Sequence, residues 1–332
     1  MAKVKKLLSA NASWVVLVAL LIFFTLLSPN FMTVKNMVTV LKQVSVNGIC
    51  AVGLAIIMIG GGLDLSTGSQ AAVAGMICAT LMVNHAFPVI PSFIIAILVT
   101  ACTVGVLNGL AVAFTGMPPL IATLGTQNVA RGIAYLITDG YIIYNIPEMA
   151  KIIGQGSIGK YLPYCVILFI FIMFVGDFIL NKTSYGRMLF AVGANQEAAR
   201  LSGIPVKKVL ISSYVIGSLF IALGGVVLMS RLNSGMPTVG TDIYIEILSA
   251  CIIGGISSNG GRGNVFKMLG GILVMGVISN GMNVAGLSEY YQYIVKGGIL
   301  LVSVGLDSYR TVIQNSRKSH VIRSAAKEES AA

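Results

Sequence analysis

The chain of 332 residues is 56% hydrophobic and only 10% charged, contains 38 glycines and has a mean hydropathy of +0.90. This composition excludes a soluble globular protein and is typical of closely packed membrane helices. The formal net charge of +11 does not indicate nucleic-acid binding, because no basic run is interleaved with aromatic residues. We attribute it to membrane topology and to attraction to anionic lipid.

Apolar runs of about 20 residues recur along the whole chain, and each is long enough to cross roughly 30 Å of hydrocarbon. They predict an all-α, polytopic integral membrane protein that forms a single transmembrane domain over residues 1–332. Its ten predicted spans are 12–28, 37–60, 65–87, 89–115, 119–138, 161–180, 209–230, 242–256, 266–285 and 290–308. No small-x-small cleavage site follows the first span, so we interpret it as a retained helix rather than a signal peptide.

Ten spans place both termini on one side of the membrane, and the distribution of lysine and arginine predicts which side. With the N terminus inside, most of the 22 basic residues fall in predicted cytoplasmic segments, which include residues 1–11, the loop 181–208 and the tail 309–332. Residues 139–160 then form a periplasmic loop, either solvated or with a short helix around Pro147 to Ile153. The sequence therefore predicts cytoplasmic termini.

Two glycine-rich segments, 60–69 and 254–264, lie at predicted inner helix ends. Aligning Gly61 with Gly254 hints at an internal duplication of the kind that transporters often carry, although glycine-rich turns align easily. Asp64 follows three glycines and is expected to cap the third helix. The glycines also allow a break in the helix that would expose Asp64 to a polar pathway.

Polar side chains within the spans suit hydrogen bonding to a neutral hydroxylated solute, or they hold helices together. The candidates for a substrate pathway are Asn47, Asp64, Gln127, Asn128, Asn280 and Asn283. Arg131 and Lys296 are ionisable groups at membrane depth, which we expect to snorkel, to bond between helices or to line the path. Acidic residues cluster at predicted helix ends, which argues against a proton-coupled carrier.

No residue pattern indicates a catalytic or metal site. The two histidines, His85 and His320, are far apart, and the five cysteines lie in apolar spans without a Cys-x-x-Cys pair. The segment GQGSIGKY at 154–161 matches a phosphate-binding loop until Tyr161 stands where a magnesium-binding serine or threonine is needed. We expect neither enzymatic activity nor a bound cofactor or metal in this chain.

The polar stretch AVGANQEAARLSGIPVKK at 191–208 interrupts the apolar pattern. Asn195 is a good N-cap, Glu197 lies at the positive end of the helix dipole, and Gly203 supplies a left-handed end before Pro205. The predicted helix, Gln196 to Ser202, is too short to be stable unless it docks on something. Ala198 and Ala199 would let a partner approach closely, with a plain interfacial helix as the alternative.

Several stretches resemble the permease subunits of bacterial ABC sugar importers, the ribose, xylose and galactose permease family. They are GGLDLSTGS (61–69), PPLIATLGTQNVARGIAYLIT (118–138) and VGANQEAARLSGI (192–204), followed by IIGGISSNGGRGN (252–264). The resemblance implies a multi-pass subunit of the bacterial inner membrane that moves a neutral sugar by alternating access. It also implies three partners: a periplasmic sugar-binding protein, a second permease copy or paralogue, and a separate ATPase that binds ATP and magnesium.

By this resemblance, the segment around Asn195 is a coupling helix that docks on the ATPase, with Gly193, Asn195, Glu197, Ala198, Ala199, Gly203 and Ile204 as its residues. We expect the outer charges Glu148, Lys151, Arg231 and Asp242 to orient the binding protein. The alternatives are an ion-coupled secondary transporter, a channel or scaffold protein, and an ABC permease for a branched-chain amino acid, a nucleoside or a signalling furanone.

Overall fold

The structure, a computed structural model, describes residues 12–159 and 161–329 and builds them almost entirely from helices. In chain order these are α1 Ala12–Leu27, α2 Val34–Ile59, α3 Thr67–Val83, α4 Val89–Thr100, α5 Val106–Thr115, α6 Pro119–Leu136, α7 Glu148–Gln155, α8 Tyr164–Lys182, α9 Ser184–Ala194, α10 Gln196–Leu201, α11 Val206–Leu232, α12 Ile243–Ile253, α13 Val265–Val284 and α14 Glu289–Glu329. A π-helical turn over Ala101–Gly105 joins α4 and α5 into one continuous helix. In the described ranges the sheet structure is a hairpin of β1 Ser157–Ile158 and β2 Leu162–Pro163.

Each of the ten predicted spans coincides with a helix, the fourth with the α4–α5 pair. Five of the helices within the described part are long and apolar enough to cross a membrane, namely α2, α4–α5, α8, α11 and α13. Helices α1, α3 and α12 are apolar but shorter. The helical class is therefore confirmed, while ten crossings and cytoplasmic termini stay predictions. Residues 1–11, Lys160 and residues 330–332, the last of which belong to the predicted tail 309–332, lie outside the described residues.

The eighth predicted span, 242–256, is shorter in the structure than a membrane crossing. Helix α12 has 11 residues, which at 1.5 Å per residue is about 16 Å, roughly half of the hydrocarbon thickness. The non-helical segment before it turns back into the bundle, where Gly240 and Gly68 meet backbone to backbone at the start of α3. Arg131 holds this segment, since its guanidinium donates to the carbonyl oxygens of Pro237 and Val239. The side chain of Arg131 therefore bonds to another part of the chain and does not snorkel.

Helices α2 and α11 form the centre of the bundle because small residues let their backbones approach. A Cβ on Gly53 would collide with the carbonyl oxygen of Gly217, and one on Gly224 would collide with the sulfur of Cys50. Almost all of α2 from Val44 onwards is buried. Close packing of this kind replaces the hydrophobic driving force that helices lack within lipid.

The two ends of α11 define two ends of the molecule. Its first residue, Val206, follows α10 closely. The helix has 27 residues, about 40 Å, and its last turn lies against α7, where Gly154 meets the backbone of Arg231. There Gln155 donates a hydrogen bond to the backbone carbonyl of Arg231 at 3.1 Å. We refer to these as the α10 end and the α7 end.

The two glycine-rich segments end helices in the same way. Gly60 and Gly254 keep right-handed backbone angles, with φ of −71° and −73°, and Gly61 and Gly255 follow with φ of +83° and +89°. The structural correspondence is thus Gly61 with Gly255, one residue away from the predicted alignment of Gly61 with Gly254. Both predicted short helices, around Pro147 to Ile153 and over Gln196 to Ser202, are confirmed as α7 and α10. Helix α9 was not predicted.

Candidate coupling helix and buried polar clusters

Helix α10 is held by the local contacts that its sequence predicts. The side chain of Asn195 accepts a hydrogen bond from the amide of Ala198 at 3.0 Å, which confirms it as the N-cap. Arg200 contacts both carboxylate oxygens of Glu197, at 2.5 and 3.0 Å. This guanidinium lowers the pKa of Glu197 below its usual value, through a hydrogen bond and charge attraction. Gly203, at φ +82°, ends the helix.

The exposed surface of α10 differs from the one predicted. Ala199 is 4% exposed and packs with Ile204 against the hydrophobic core of its own chain, so neither forms a free face for a partner. Ala198 is exposed as predicted. Leu201, which sequence reasoning missed, is 76% exposed and lies one residue after Arg200. The surface that α10 presents therefore combines a bidentate ion pair with an apolar side chain.

Asp64 lies in a polar cluster, which we call the Asp64 cluster: Asp64, Ser66, Gln70 and Asn108, which are buried, and Thr126, which is half-buried. One carboxylate oxygen accepts bonds from the amide and the hydroxyl of Ser66, at 2.8 and 2.5 Å. The other accepts from the side-chain amide of Gln70 at 2.7 Å. Asn108 bonds to Ser66 at 2.9 Å and accepts a bond from Thr126.

The capping prediction for Asp64 is right in part. Its carboxylate does bind a backbone amide at the start of α3, but Ser66 occupies the N-cap position. Asp64 is 1% exposed, so it does not open onto a polar pathway in this structure, and its place on a substrate pathway stays a prediction. Every carboxylate bond comes from an uncharged donor.

The helix break before α3 exists, and its backbone is satisfied by neighbouring helices. The hydroxyl of Tyr214 donates to the carbonyl oxygen of Leu63 at 3.1 Å and accepts from its amide at 3.3 Å. The amide of Leu65 donates to the hydroxyl of Thr123 at 3.2 Å. Non-helical backbone is stable at membrane depth only with such partners.

A second buried cluster, the Glu246 cluster, joins four helices through one carboxylate. Glu246 forms a salt bridge of 2.5 Å with Lys296 and accepts hydrogen bonds of 2.8 Å from Asn47 and Ser279. Glu246 is 6% exposed. Glu246 lies in the first turn of α12 and Asp64 just before α3, so both carboxylates lie at helix ends as predicted, and both are buried there. Lys296 bonds between helices, and its snorkelling alternative does not apply.

Two of the predicted pathway residues connect helices instead. Asn280 and Asn36 exchange two amide hydrogen bonds, at 2.8 and 3.0 Å, and Asn283 accepts one from Gln292 at 2.8 Å. Bonds of this kind hold membrane helices together. Asn47 belongs to the Glu246 cluster.

Helix α6 carries the two remaining predicted pathway residues. Asn128 is exposed, and its amide bonds only to its own helix, at the carbonyl oxygen of Leu124. Gly125 and Gly132, three and four residues away on the same helix face, have no atom of the described chain within 4 Å of an added Cβ. Gln127 is half-buried, and its side-chain oxygen has no hydrogen-bond partner. The face of α6 that carries Asn128 is therefore open, because Gly125 and Gly132 leave space on either side of its exposed amide.

The four predicted outer charges lie at or near the α7 end. Glu148, with its side chain 90% exposed, forms a 2.5 Å salt bridge with Lys151 on α7. Arg231 is half-buried beside α7. Asp242 lies close to Tyr293, in the segment that turns back into the bundle.

Two open depressions, of about 360 and 490 Å³, occur on the described surface. The smaller is lined by Lys208, Ile211, Ser212, Val215 and Ile216 of α11, and the larger lies near the α7 end around residues 137–145. Neither is lined by any of the six predicted pathway residues. Among the described residues, no group of histidine, cysteine, aspartate or glutamate is arranged to hold a metal ion.

Comparison with known proteins gives consistent results. Residues 36–304 match the family described as branched-chain amino acid transport system / permease component. The galactose/methyl galactoside import permease protein of Haemophilus influenzae is 34% identical over 320 residues, covering 92% of this chain and 95% of that protein. The ribose import permease protein of Bacillus subtilis is 35% identical over 87% of this chain and 89% of its own length. That of Escherichia coli K12 is 34% identical, with 92% and 95% covered. No solved structure gives a significant match.

Proposed function

The chain belongs to the permease-component family of the branched-chain amino acid transport system, and we propose that it is the membrane-spanning subunit of an ATP-binding-cassette importer for a neutral sugar. The similar proteins named above are import permeases for ribose and for galactose or methyl galactoside, which favours a sugar over a branched-chain amino acid, a nucleoside or a furanone. The observation that carries the proposal is α10, a short helix that is fixed on one side and exposed on the other. The whole chain acts as one permease domain.

In this proposal the α10 end faces the bacterial cytoplasm. Lysine and arginine concentrate there, at Lys182, Arg187, Arg200, Lys207, Lys208, Arg262 and Lys267, as expected for the inner side of a membrane. The α7 end then faces the periplasm. A multi-pass protein of the inner membrane with cytoplasmic termini follows from this orientation.

The exposed surface of α10 is the docking site for a separate ATPase. Leu201 supplies an apolar contact, and the ion pair of Glu197 and Arg200 surrounds it with polar groups, the arrangement of a small interface. ATP and magnesium belong to the ATPase, and this chain binds no cofactor. Closure of two ATPase subunits would push α10 and shift the permease between two packed states.

The sugar passes along the open face of α6, between two permease copies or a copy and a paralogue. The amide of Asn128 is exposed on α6, and an exposed polar group at membrane depth is expensive unless it faces water, a solute or protein. Gln127 adds an unpartnered oxygen, and hydroxyl groups of a neutral sugar suit both amides. We do not include Asn280 and Asn283 in the proposed sugar path, because their side chains bond to other helices.

The periplasmic binding protein would dock at the α7 end. Glu148 is the most exposed of the four predicted charges, and Met149 and Ile152 on the same helix are 59% and 50% exposed. The other three charges contact their own chain and would contribute indirectly, by holding α7 and the neighbouring segments in position; they are Lys151, Arg231 and Asp242.

Reconstitution tests the proposal. The permease, the ATPase and the binding protein are placed in liposomes, and uptake of labelled ribose and galactose is measured with and without ATP. We expect uptake that needs ATP and all three components. Leu201→Ala should weaken co-purification of the ATPase, whereas Leu232→Ala, an exposed leucine at the α7 end, should not.

The same system distinguishes the other classes. Uptake driven by a proton gradient without the ATPase would replace the proposal by a secondary transporter. Flux that is independent of the ATPase and of any gradient would indicate a channel, and no flux at all would indicate a scaffold protein.

A further inference from the structure

Three glycine-containing segments from distant parts of the chain meet near the α10 end. They are residues 60–62 after α2, Gly193 in the last turn of α9, and Gly260 and Gly261 in the loop before α13. We call this set the glycine junction. The contacts that join the three segments run between backbones, at Gly61, Gly193, Gly260 and Gly261.

Gly193 sits at the centre of the junction. It belongs to the last turn of α9 and, contrary to its predicted assignment, is not part of the exposed α10 surface on which the ATPase is proposed to dock. A Cβ at this position would collide with the carbonyl oxygen of Ile59 and would lie 2.6 Å from the amide nitrogen of Gly261. Two residues later Asn195 caps α10. Any movement of α10 is therefore applied directly to a residue that touches two other segments.

Gly260 and Gly261 close the junction from the opposite side. The amide of Gly261 donates a hydrogen bond of 2.8 Å to the carbonyl oxygen of Ile59, the last residue of α2. A Cβ on Gly260 would lie 2.7 Å from the Cα of Gly61 and 2.8 Å from the carbonyl oxygen of Gly193. All three segments are thus in mutual contact without an intervening side chain.

The junction leads in one direction to the Asp64 cluster. Residues 60–62 continue through Leu63 into Asp64, and the backbone of Leu63 is clamped by the hydroxyl of Tyr214. In the other direction it leads to α14, since the amide and the hydroxyl of Ser258 both donate to the carboxylate of Asp307, at 2.9 and 2.6 Å.

Backbone contacts of this kind transmit movement because they do not yield. A long side chain can change rotamer when its neighbour moves, whereas packed main-chain atoms must move together. Thr126 in the Asp64 cluster is part of α6, whose open face carries Asn128. A displacement of 60–62 therefore reaches the helix that lines the proposed sugar path.

We propose that the glycine junction is the connection through which movement of α10 reaches the helix break at Asp64 and then α6, with Gly193 as its positioning residue. This inference rests on the proposed function, because it gives the ATPase a route to the sugar path. It assigns a role in energy coupling to residues that contact neither ATPase nor sugar.

The first test is Gly193→Ala in the reconstituted importer, with Gly305→Ala as the matched control. Gly305 is also within a helix, and an added Cβ there meets no atom within 4 Å. Because the exposed side of α10 is unchanged, Gly193→Ala should co-purify with the ATPase as the parent does. Sugar transported per ATP hydrolysed should fall about tenfold or more, as expected when a coupling free energy is lost. The control should transport normally.

A second test needs no substitution, in case Gly193→Ala does not fold. Hydrogen exchange is measured by mass spectrometry on the unmodified complex, with and without ATP and vanadate to trap the closed ATPase. Exchange should change together in peptides covering 59–66, 191–204 and 254–264, and much less in a peptide of the β1–β2 hairpin.

The outcomes separate the two proposals. If the parent chain does not co-purify with the ATPase, the proposed function fails. If it does, but exchange changes only in 191–204, or Gly193→Ala retains the parental ratio of sugar to ATP, the junction does not transmit the movement and the inference is overturned.

Discussion

Breaking the ion pair between Glu246 and Lys296 should cost more than any surface substitution in this protein. Their side chains are 8% and 14% exposed, so the energetics of a buried salt bridge apply rather than those of a surface pair. Lys296→Met would leave a carboxylate with only the neutral donors Asn47 and Ser279. Removing one partner of a buried pair typically costs about 3–5 kcal/mol of folding free energy. The hydrogen bonds from Asn47 and Ser279, at about 1 kcal/mol each, are present in both the parent and the variant, so they do not reduce this cost.

The double variant Glu246→Gln with Lys296→Met separates charge from packing. Glutamine preserves the shape of the carboxylate and can still bond to Asn47 and Ser279, while methionine fills the lysine stem. We expect most of the loss to be recovered, to within about 1–2 kcal/mol of the parent, because buried pairs are often replaceable when both charges go. Lys267→Met, an exposed lysine of α13, is the control and should be neutral.

Reversible unfolding in mixed detergent micelles measures these free energies. Trp14, the one tryptophan of the chain, reports on α1, whose packing against α13 includes Phe24 on Gly281. A loss below about 1 kcal/mol for Lys296→Met, the value of exposed pairs, would refute the buried salt bridge. A double variant as unstable as the sum of its singles would refute the charge argument.

Three further changes address other sites. Tyr214→Phe removes the clamp on the helix break and should cost about 1–3 kcal/mol in the same unfolding measurement; no loss would mean that the backbone finds other partners. Asn128→Leu should lower sugar uptake without changing stability, and normal uptake would remove Asn128 from the path. Because Arg200 lowers the pKa of Glu197, this carboxylate is protonated only as pH falls through that lowered pKa. The difference in ATPase pull-down between the parent and Glu197→Gln should therefore be constant from about pH 5 to 8, and a difference that disappears within this range would contradict the lowered pKa.

The sequence predicts the helices well where hydropathy is uniform. Apolar runs identify all ten helical positions because a segment in lipid must satisfy its own backbone hydrogen bonds. The prediction fails where the chain changes direction within an apolar run. The run 242–256 hides a short helix, although Pro237 and Gly240 just before it are turn signals. Helix α9 was not predicted because its sequence, SYGRMLFAVGA, mixes polar and apolar residues and is too short to be recognised as an apolar membrane span.

For the candidate site, local features are predictable and distant contacts are not. The cap at Asn195 and the left-handed Gly203 follow from residues a few positions apart. The contact of Asn47 with Glu246 joins residues 199 positions apart, and no local pattern specifies it. An available signal was the presence of Glu246 within an apolar run, since an ionisable residue in a span marks a functional or paired site. Uncharged polar residues within spans carry the same signal, and this would have marked Gln70 and Asn108 as members of a buried polar cluster.

The two buried carboxylates bear on how the protein is driven. A proton-coupled carrier needs a carboxylate that water can reach and that a proton can leave. Asp64 is 1% exposed and Glu246 6%, and every carboxylate oxygen of both already accepts bonds within the chain. In this structure both carboxylates hold helices in a fixed arrangement, which agrees with the proposal that movement applied at α10 drives transport. The double variant Glu246→Gln with Lys296→Met should accordingly retain ATP-driven uptake in liposomes, whereas a carrier that used Glu246 for protons would lose transport although the variant is folded.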